Sequence, residues 1–311
     1  MSTLLIGDFG VGDMAAEAAL LHALPDLPGP HIVSTEDPAA TLRIAPGVIP
    51  LPPNHPTPAE ARRAVLLGPQ LDVIQAFPRI GRLGALADRG MAIEMRNISF
   101  HPWGPFYRPD PEARAVLRRL ERVSARDHRT LGSMVEWRCP WWPHLDAFPE
   151  AAILPHLPDA LPAGPRLGLA IHDDPNLRDA FAARAEVVAE LCAPYAGWTV
   201  VPLPVVRTNE VDDLRGIHDF AGHFLPASPL ATVAPDDPQA WRNSATPEAL
   251  KGWVASCDAV IAGRDIVVAF AAAAGVPCLA LSGHSDDEPG RAAATLANNL
   301  MPGSRYVVLA V

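Results

Sequence analysis

Short apolar runs broken by glycine and proline, rather than long amphipathic repeats, set the pattern of this chain. The clearest unit begins at Trp253 and runs to Ser282. An apolar run ends in a Gly263-Arg264 corner, a small-residue stretch from Asp265 closes on Gly275-Val-Pro277, and a second apolar run follows. That order predicts a strand, a helix and a strand, with Arg264 at the corner where a strand leads into a helix N-terminus. The first segment, Ser2 to Leu24, reads the same way: an apolar strand, a glycine loop and an amphipathic helix. From Pro25 to Pro58 prolines recur too often for long helices, which leaves room for short strands such as His31–Ser34. The pattern then predicts a helix over Ala59–Leu67, a strand over Leu71–Ala76, a helix over Leu83–Arg89 closed by Gly90, and a strand over Ala92–Phe100. Such βαβαβ alternation calls for a parallel sheet covered by helices.

Beyond the turn at Gly104-Pro105, a basic helix is expected over Pro111–Glu121, and a short strand, Val123–Ala125, delivers Arg126 and Asp127 to a loop edge. The proline- and tryptophan-rich stretch from Pro140 to Pro165, with Trp141, Trp142 and Asp146, has little periodicity and reads as a crossing between domains. A second alternation follows. Strands are expected at Arg166–Ile171, Trp198–Pro202 and Tyr306–Leu309, and helices at Leu177–Leu191, Glu210–Phe220, after Thr246-Pro-Glu248, and at Arg291–Leu300. The predicted organisation is therefore α/β in two domains, 1–160 and 161–311.

Composition narrows the function. A chain of 311 residues, 49% hydrophobic and 19% charged, fills two ordinary cores. No apolar run approaches the ~20 residues that span a bilayer. The first residues lack a basic flank and a small-residue cleavage site, so a cytoplasmic protein is expected. The formal net charge of −10 argues against nucleic acid and anionic membranes as partners, though one or two local cations suffice for a phosphorylated small molecule. Those cations would be arginines, because Lys251 is the single lysine. Cys139, Cys192, Cys257 and Cys278 are scattered, and His218 and His223 lack a third ligand at metal-like spacing, so neither a disulfide framework nor a metal is expected.

Two readings stand side by side for each candidate. Arg264 either pairs with a carboxylate or holds an anion; Arg126 and Asp127 either form a local ion pair with an Asp127 N-cap or serve a site. Gly10, Gly12, Asp13 and Glu17 either form a tight turn or bring backbone N–H groups to a ligand at a helix N-terminus. The spacing is not that of a dinucleotide-binding loop.

These pieces occur in the order of the polysaccharide pyruvyl transferase family, which the chain resembles over nearly its whole length. The matching positions are Gly7, Phe9, Gly10, Gly12 and Glu17; Gly104 and Pro105; Ser124, Arg126 and Asp127; and Asp258, Val260, Arg264, Gly275, Val276 and Pro277. The sequence departs from that pattern at Asp13, Ala15 and Ala16 in the first loop, at Ala76-Phe77-Pro78, and at Ile266, where the family has histidine. The resemblance implies two Rossmann-like domains in a glycosyltransferase-B-like architecture. It also implies transfer of a pyruvyl group from phosphoenolpyruvate to a saccharide acceptor, with no cofactor. The implied catalytic residues are Arg126, Arg264 and Asp127, and the implied substrate-binding set is Gly10, Gly12, Asp13, Glu17, His101, Ser282 and His284. His101, His128 or His284 would stand in for the missing histidine. A nucleotide-sugar glycosyltransferase and a non-catalytic binding subunit remain the alternatives, and homo-oligomerisation, donor, acceptor sugar and pathway stay open.

Overall fold

The computed structural model describes residues 2–68, 71–101, 110–137, 143–208, 211–283 and 288–309. The chain divides into two compact units, Met1–Glu150 and Ala151–Val311. Cys139, Gly104, Pro105, Trp141, Trp142 and His284 lie outside the described residues.

In the first unit the strands are β1 Ser2–Phe9, β2 His31–Thr35, β3 Ile49–Leu51, β4 Ala61–Leu67, β5 Leu71–Asp72, β6 Ala92–Ile98, β7 Phe100–His101, β8 Arg122–Ala125 and β9 His144–Leu145. Seven of them form a parallel sheet in the order β3-β2-β1-β4-β6-β8-β9, and β5 pairs only with β7. Alternation along β1 feeds two cores. Leu4 and Ile6 face Leu66, Ile93 and the helices Val73–Asp88 and Pro111–Leu117, while Leu5 and Phe9 face Val65, Leu67 and the helix Met14–Ala23. The expected amphipathic character of Met14–Ala23 is corrected, because every residue from Met14 to Leu20 is buried. Its small side chains suit a helix packed on both sides.

Two further expectations change. Ala59–Leu67 is a strand, not a helix: Ala64, Val65, Leu66 and Leu67 are all buried, and a four-residue apolar run placed centrally in a parallel sheet serves both faces. The predicted strand over Leu71–Ala76 keeps only Leu71–Asp72, and Val73 opens a helix that continues through Pro78 to Asp88. Proline costs that helix one backbone hydrogen bond and discourages the assignment from sequence.

The second unit has β10 Arg166–Ala170, β11 Thr199–Pro202, β12 Ala259–Ala262, β13 Cys278–Ser282 and β14 Arg305–Val308, all parallel in the order β11-β10-β12-β13-β14. The unit around Arg264 folds as expected. Helix Asp265–Ala274 ends at Gly275, whose φ of 69° is the left-handed conformation that closes a helix. The expected single helix over Leu177–Leu191 is instead two, Pro175–Ala183 and Ala185–Cys192, divided at Arg184. Phe181 and Phe220 meet edge to face at 5.1 Å in the core beneath.

Proline starts several of the helices. Asp37-Pro38, Asp110-Pro111, Asp174-Pro175, Asp237-Pro238 and Thr246-Pro247 each place a capping side chain before a proline in the first turn. Tight approach matters at Gly252, where a Cβ would lie 1.7 Å from the His156 carbonyl oxygen. Beside it Lys251 Nζ donates to the carbonyls of Ala151 and Ile153, both at 2.6 Å, so the sole lysine pins the Ala151–Leu157 segment to helix Pro247–Ala255. Cys192, Cys257 and Cys278 are buried thiols that burial pushes up to about 12. Among the described residues no helix is long and apolar enough to cross a membrane.

Candidate functional site

In open parallel sheets ligands bind outside the carboxyl ends of the strands where strand order reverses. The first unit reverses between β1 and β4, the second between β10 and β12. The candidate residues fall at or near the carboxyl ends of strands β1, β6, β8, β10, β12 and β13.

At the end of β1 the chain turns through Gly10 (φ 77°) and Gly12 (φ 90°). Gly10 is required, since a Cβ there would lie 2.5 Å from Thr35 Oγ1 and 2.6 Å from the Asp37 nitrogen. Asp13 caps the next helix by accepting from Ala15 N–H at 2.9 Å. Glu17, 1% exposed, accepts from Gly10 N–H at 2.7 Å. Burial pushes the Glu17 carboxyl up to about 7, with Asp13 adding to the rise and the Gly10 N–H opposing it. The structure thus brings Gly10, Asp13 and Glu17 together, and two acids already take loop donors that an incoming anion would use. At the same edge Arg79 pairs with Asp8, a contact with no sequence signal.

At the ends of β6 and β8 lies a buried polar network. Arg126 is wholly buried, pairs with the equally buried Glu150, and lies 4.5 Å over the Phe148 ring. Asp127 caps helix His128–Glu136 through Thr130 N–H at 2.8 Å and accepts from Thr130 Oγ1 at 2.9 Å and Ser99 Oγ at 2.5 Å. Asn97 donates to Glu150 at 2.7 Å, and its backbone N–H donates to Ser124 Oγ at 3.0 Å. Asn97 and Phe148 hold φ values of 54° and 49°, so two non-glycine residues are strained beside one network. The Asp127 cap is the one the sequence predicts, whereas Glu150 carries no local signal.

In the second unit, Arg264 follows β12 and donates to Asp213 from Nε at 3.0 Å and Nη2 at 2.7 Å. Asp213 also accepts from the amides of Val205 at 3.1 Å and Val206 at 2.9 Å, which fixes the fork. Ser282 is buried at the end of β13. Asp258 begins the β12 segment at the other end of the strand, where it accepts from Arg166 N–H at 2.8 Å. Arg126 and Arg264 belong to different units, each engaged by a carboxylate of its own. His101 ends β7.

The residue the sequence reading passed over is His172, which follows β10 directly across the strand-order reversal from Arg264. Burial first, and the Arg264 charge second, push its imidazole down to about 4, so it is neutral at physiological pH. A neutral imidazole carries one donor and one acceptor nitrogen. The turn it sits on packs against helix Asp213–Phe224 at Gly216, where a Cβ would approach the Asp173 backbone to 3.2 Å. Gly216→Ala gains helix propensity of about 1 kcal/mol and crowds unyielding backbone at about 1–3 kcal/mol, so thermal unfolding should show a net loss of about 1 kcal/mol.

No protein-family model matches the chain, and no curated protein matches its sequence. Solved structures share its fold. The UDP-GlcNAc 2-epimerase of Methanocaldococcus jannaschii superposes with a TM-score of 0.56 at 9% identity, over 99% of this chain and 88% of that one. The Neisseria meningitidis UDP-GlcNAc 2-epimerase, solved with UDP-GlcNAc bound, gives 0.52 at 12% identity over 97% and 87%. The S. aureus MnaA–UDP structure gives 0.51 at 12% identity over 90% and 79%. At these identities the likeness establishes the fold: two Rossmann-like domains of glycosyltransferase-B-like architecture. The resemblance to pyruvyl transferases rests on the sequence motifs alone.

Proposed function

We propose that the protein is an enzyme of carbohydrate metabolism that acts on a nucleotide-linked sugar, with the nucleotide diphosphate held by the second unit outside the carboxyl ends of β10 and β12. The observation that carries this reading is the placement of neutral His172 and the anchored Arg264 after the adjacent strands β10 and β12, at the N-terminus of helix Asp265–Ala274. A helix N-terminus favours an anion, Arg264 adds a guanidinium held in place by Asp213, and the imidazole offers a neutral hydrogen bond. Fold-sharing proteins solved with UDP-GlcNAc or UDP support it. UDP-GlcNAc, UDP, GDP and ADP are the test ligands. One that binds only the folded state stabilises it by about 2.7 kcal/mol at a hundred times its dissociation constant. We expect at least one to raise the melting temperature, and His172→Ala to weaken that effect about tenfold in apparent affinity. No shift with any of them at millimolar concentration would overturn the reading.

A second reading keeps pyruvyl transfer. Its support is that Ser124, Arg126 and Asp127 lie at the carboxyl end of β8 and Arg264 at the carboxyl end of β12, strand ends suited to a site. Arg126, Arg264 and Asp127 would then be the working residues, and phosphoenolpyruvate rather than a nucleotide would stabilise the protein and release phosphate in the presence of a saccharide.

A further inference from the structure

The turn that leaves β1 at the strand-order reversal of the first unit is tied to the helix that follows it by a buried carboxyl. Glu17 reaches back from helix Met14–Ala23 and its Oε1 accepts the Gly10 N–H at 2.7 Å. Its Oε2 is buried and has no hydrogen-bond partner among the described residues. On the far side the turn is tied to the next strand: Phe9 carbonyl accepts from Thr35 Oγ1 at 3.0 Å and from Glu36 N–H at 3.1 Å. The charges facing Glu17 are Asp13 at the start of its own helix, and Asp37 and Arg43 from helix Pro38–Ile44. Two acids against one guanidinium make a poor setting for a third negative charge in a buried site. The neutral acid accepts the same N–H more weakly than the carboxylate would, but without the larger cost of burying that charge.

We propose that Glu17 is a positioning residue that holds the Phe9–Asp13 turn closed as the neutral acid and loosens it on losing its proton to solvent, so that the shape of the first unit's ligand edge follows its protonation. The raised titration of this carboxyl, at about 7, agrees with that geometry. Glu17 acts through the turn rather than by touching a ligand. Binding of a ligand that needs the closed turn is therefore accompanied by proton uptake at Glu17 above neutral pH.

Phe9-Gly10 is the only Phe-Gly step in the sequence, so the full chain labelled with carbonyl-¹³C phenylalanine and ¹⁵N glycine gives one assigned amide signal. That signal should titrate once with a midpoint at about 7, and its exchange with solvent should speed up above the midpoint. The titration should vanish in Glu17→Gln, which keeps the acceptor but cannot ionise, and persist in Asp37→Asn. A midpoint near the ordinary 4.5, or the same titration in Glu17→Gln, would overturn the proposal. Should Glu17→Gln fail to fold, the side-chain carboxyl signals of glutamate-labelled wild type decide the matter: one at about 7 supports it, and none there sinks it. Nucleotide enters none of these readouts, so this proposal and the proposed function fail separately.

Discussion

Glu150→Ala is expected to destabilise the first unit by about 3–5 kcal/mol, the usual cost of removing one member of a buried ion pair. Both carboxylate oxygens are in use, one by Arg126 Nη2 and the other by Asn97 Nδ2 at 2.7 Å. Arg126 and Glu150 have no exposed side-chain surface, so water cannot take over either role. Removing the acid leaves a guanidinium in the core against the Phe148 ring, and the melting midpoint should fall on the order of 10 °C. The double substitution Arg126→Met with Glu150→Leu should recover part of the loss, because it removes both charges at once but leaves the buried Asn97 Nδ2 donor without its acceptor. The same experiment bears on pyruvyl transfer. An Arg126 that serves an incoming anion would bind that anion more tightly once its internal competitor is gone, whereas a purely architectural pair would only cost stability. A loss below about 1 kcal/mol would show that the pair is hydrated and weak.

What the sequence discloses, and what it hides, divides along physical lines. The β12 unit is legible because its signals are local: an apolar run, a corner, and Gly275 with its positive φ followed by Pro277. The Asp127 cap is legible for the same reason. The partners of the two motif arginines are not, since Glu150 lies 24 residues beyond Arg126 and Asp213 lies 51 before Arg264. Nothing local marks them; only the rule that a buried guanidinium has an acid hints that they exist. Ala61–Leu67 misleads because a buried central strand and a buried helix share the same short apolar run, and only its neighbours in the sheet decide. His172 is hidden more deeply. A lone histidine after a strand carries no signal until strand order shows that β11 and β12 lie on opposite sides of β10, which puts its loop at the strand-order reversal where parallel sheets commonly bind ligands.

The second large effect concerns stability against pH, and its sign follows from Glu17. A carboxyl that titrates at about 7 in the folded protein and at 4.5 unfolded binds more protons folded than unfolded between those values. Its contribution is therefore fully present below pH 4.5 and is lost as pH rises to about 7. At about 1.4 kcal/mol for each pH unit, the loss is about 3 kcal/mol. His172 works the other way: lowered from 6.5 to about 4, it weakens the folded state as pH falls through that window. The two trends oppose each other, so a nearly flat wild-type profile would disclose neither, and the informative quantity is the difference between wild type and Glu17→Gln. That variant should match wild type below pH 4.5 and exceed it above pH 7 by about 3 kcal/mol, a gain from a substitution in a buried position. Denaturant titrations at the two ends of the range measure it directly. Equal stabilities of the two proteins at both ends would mean that Glu17 ionises normally and that its burial costs the fold nothing.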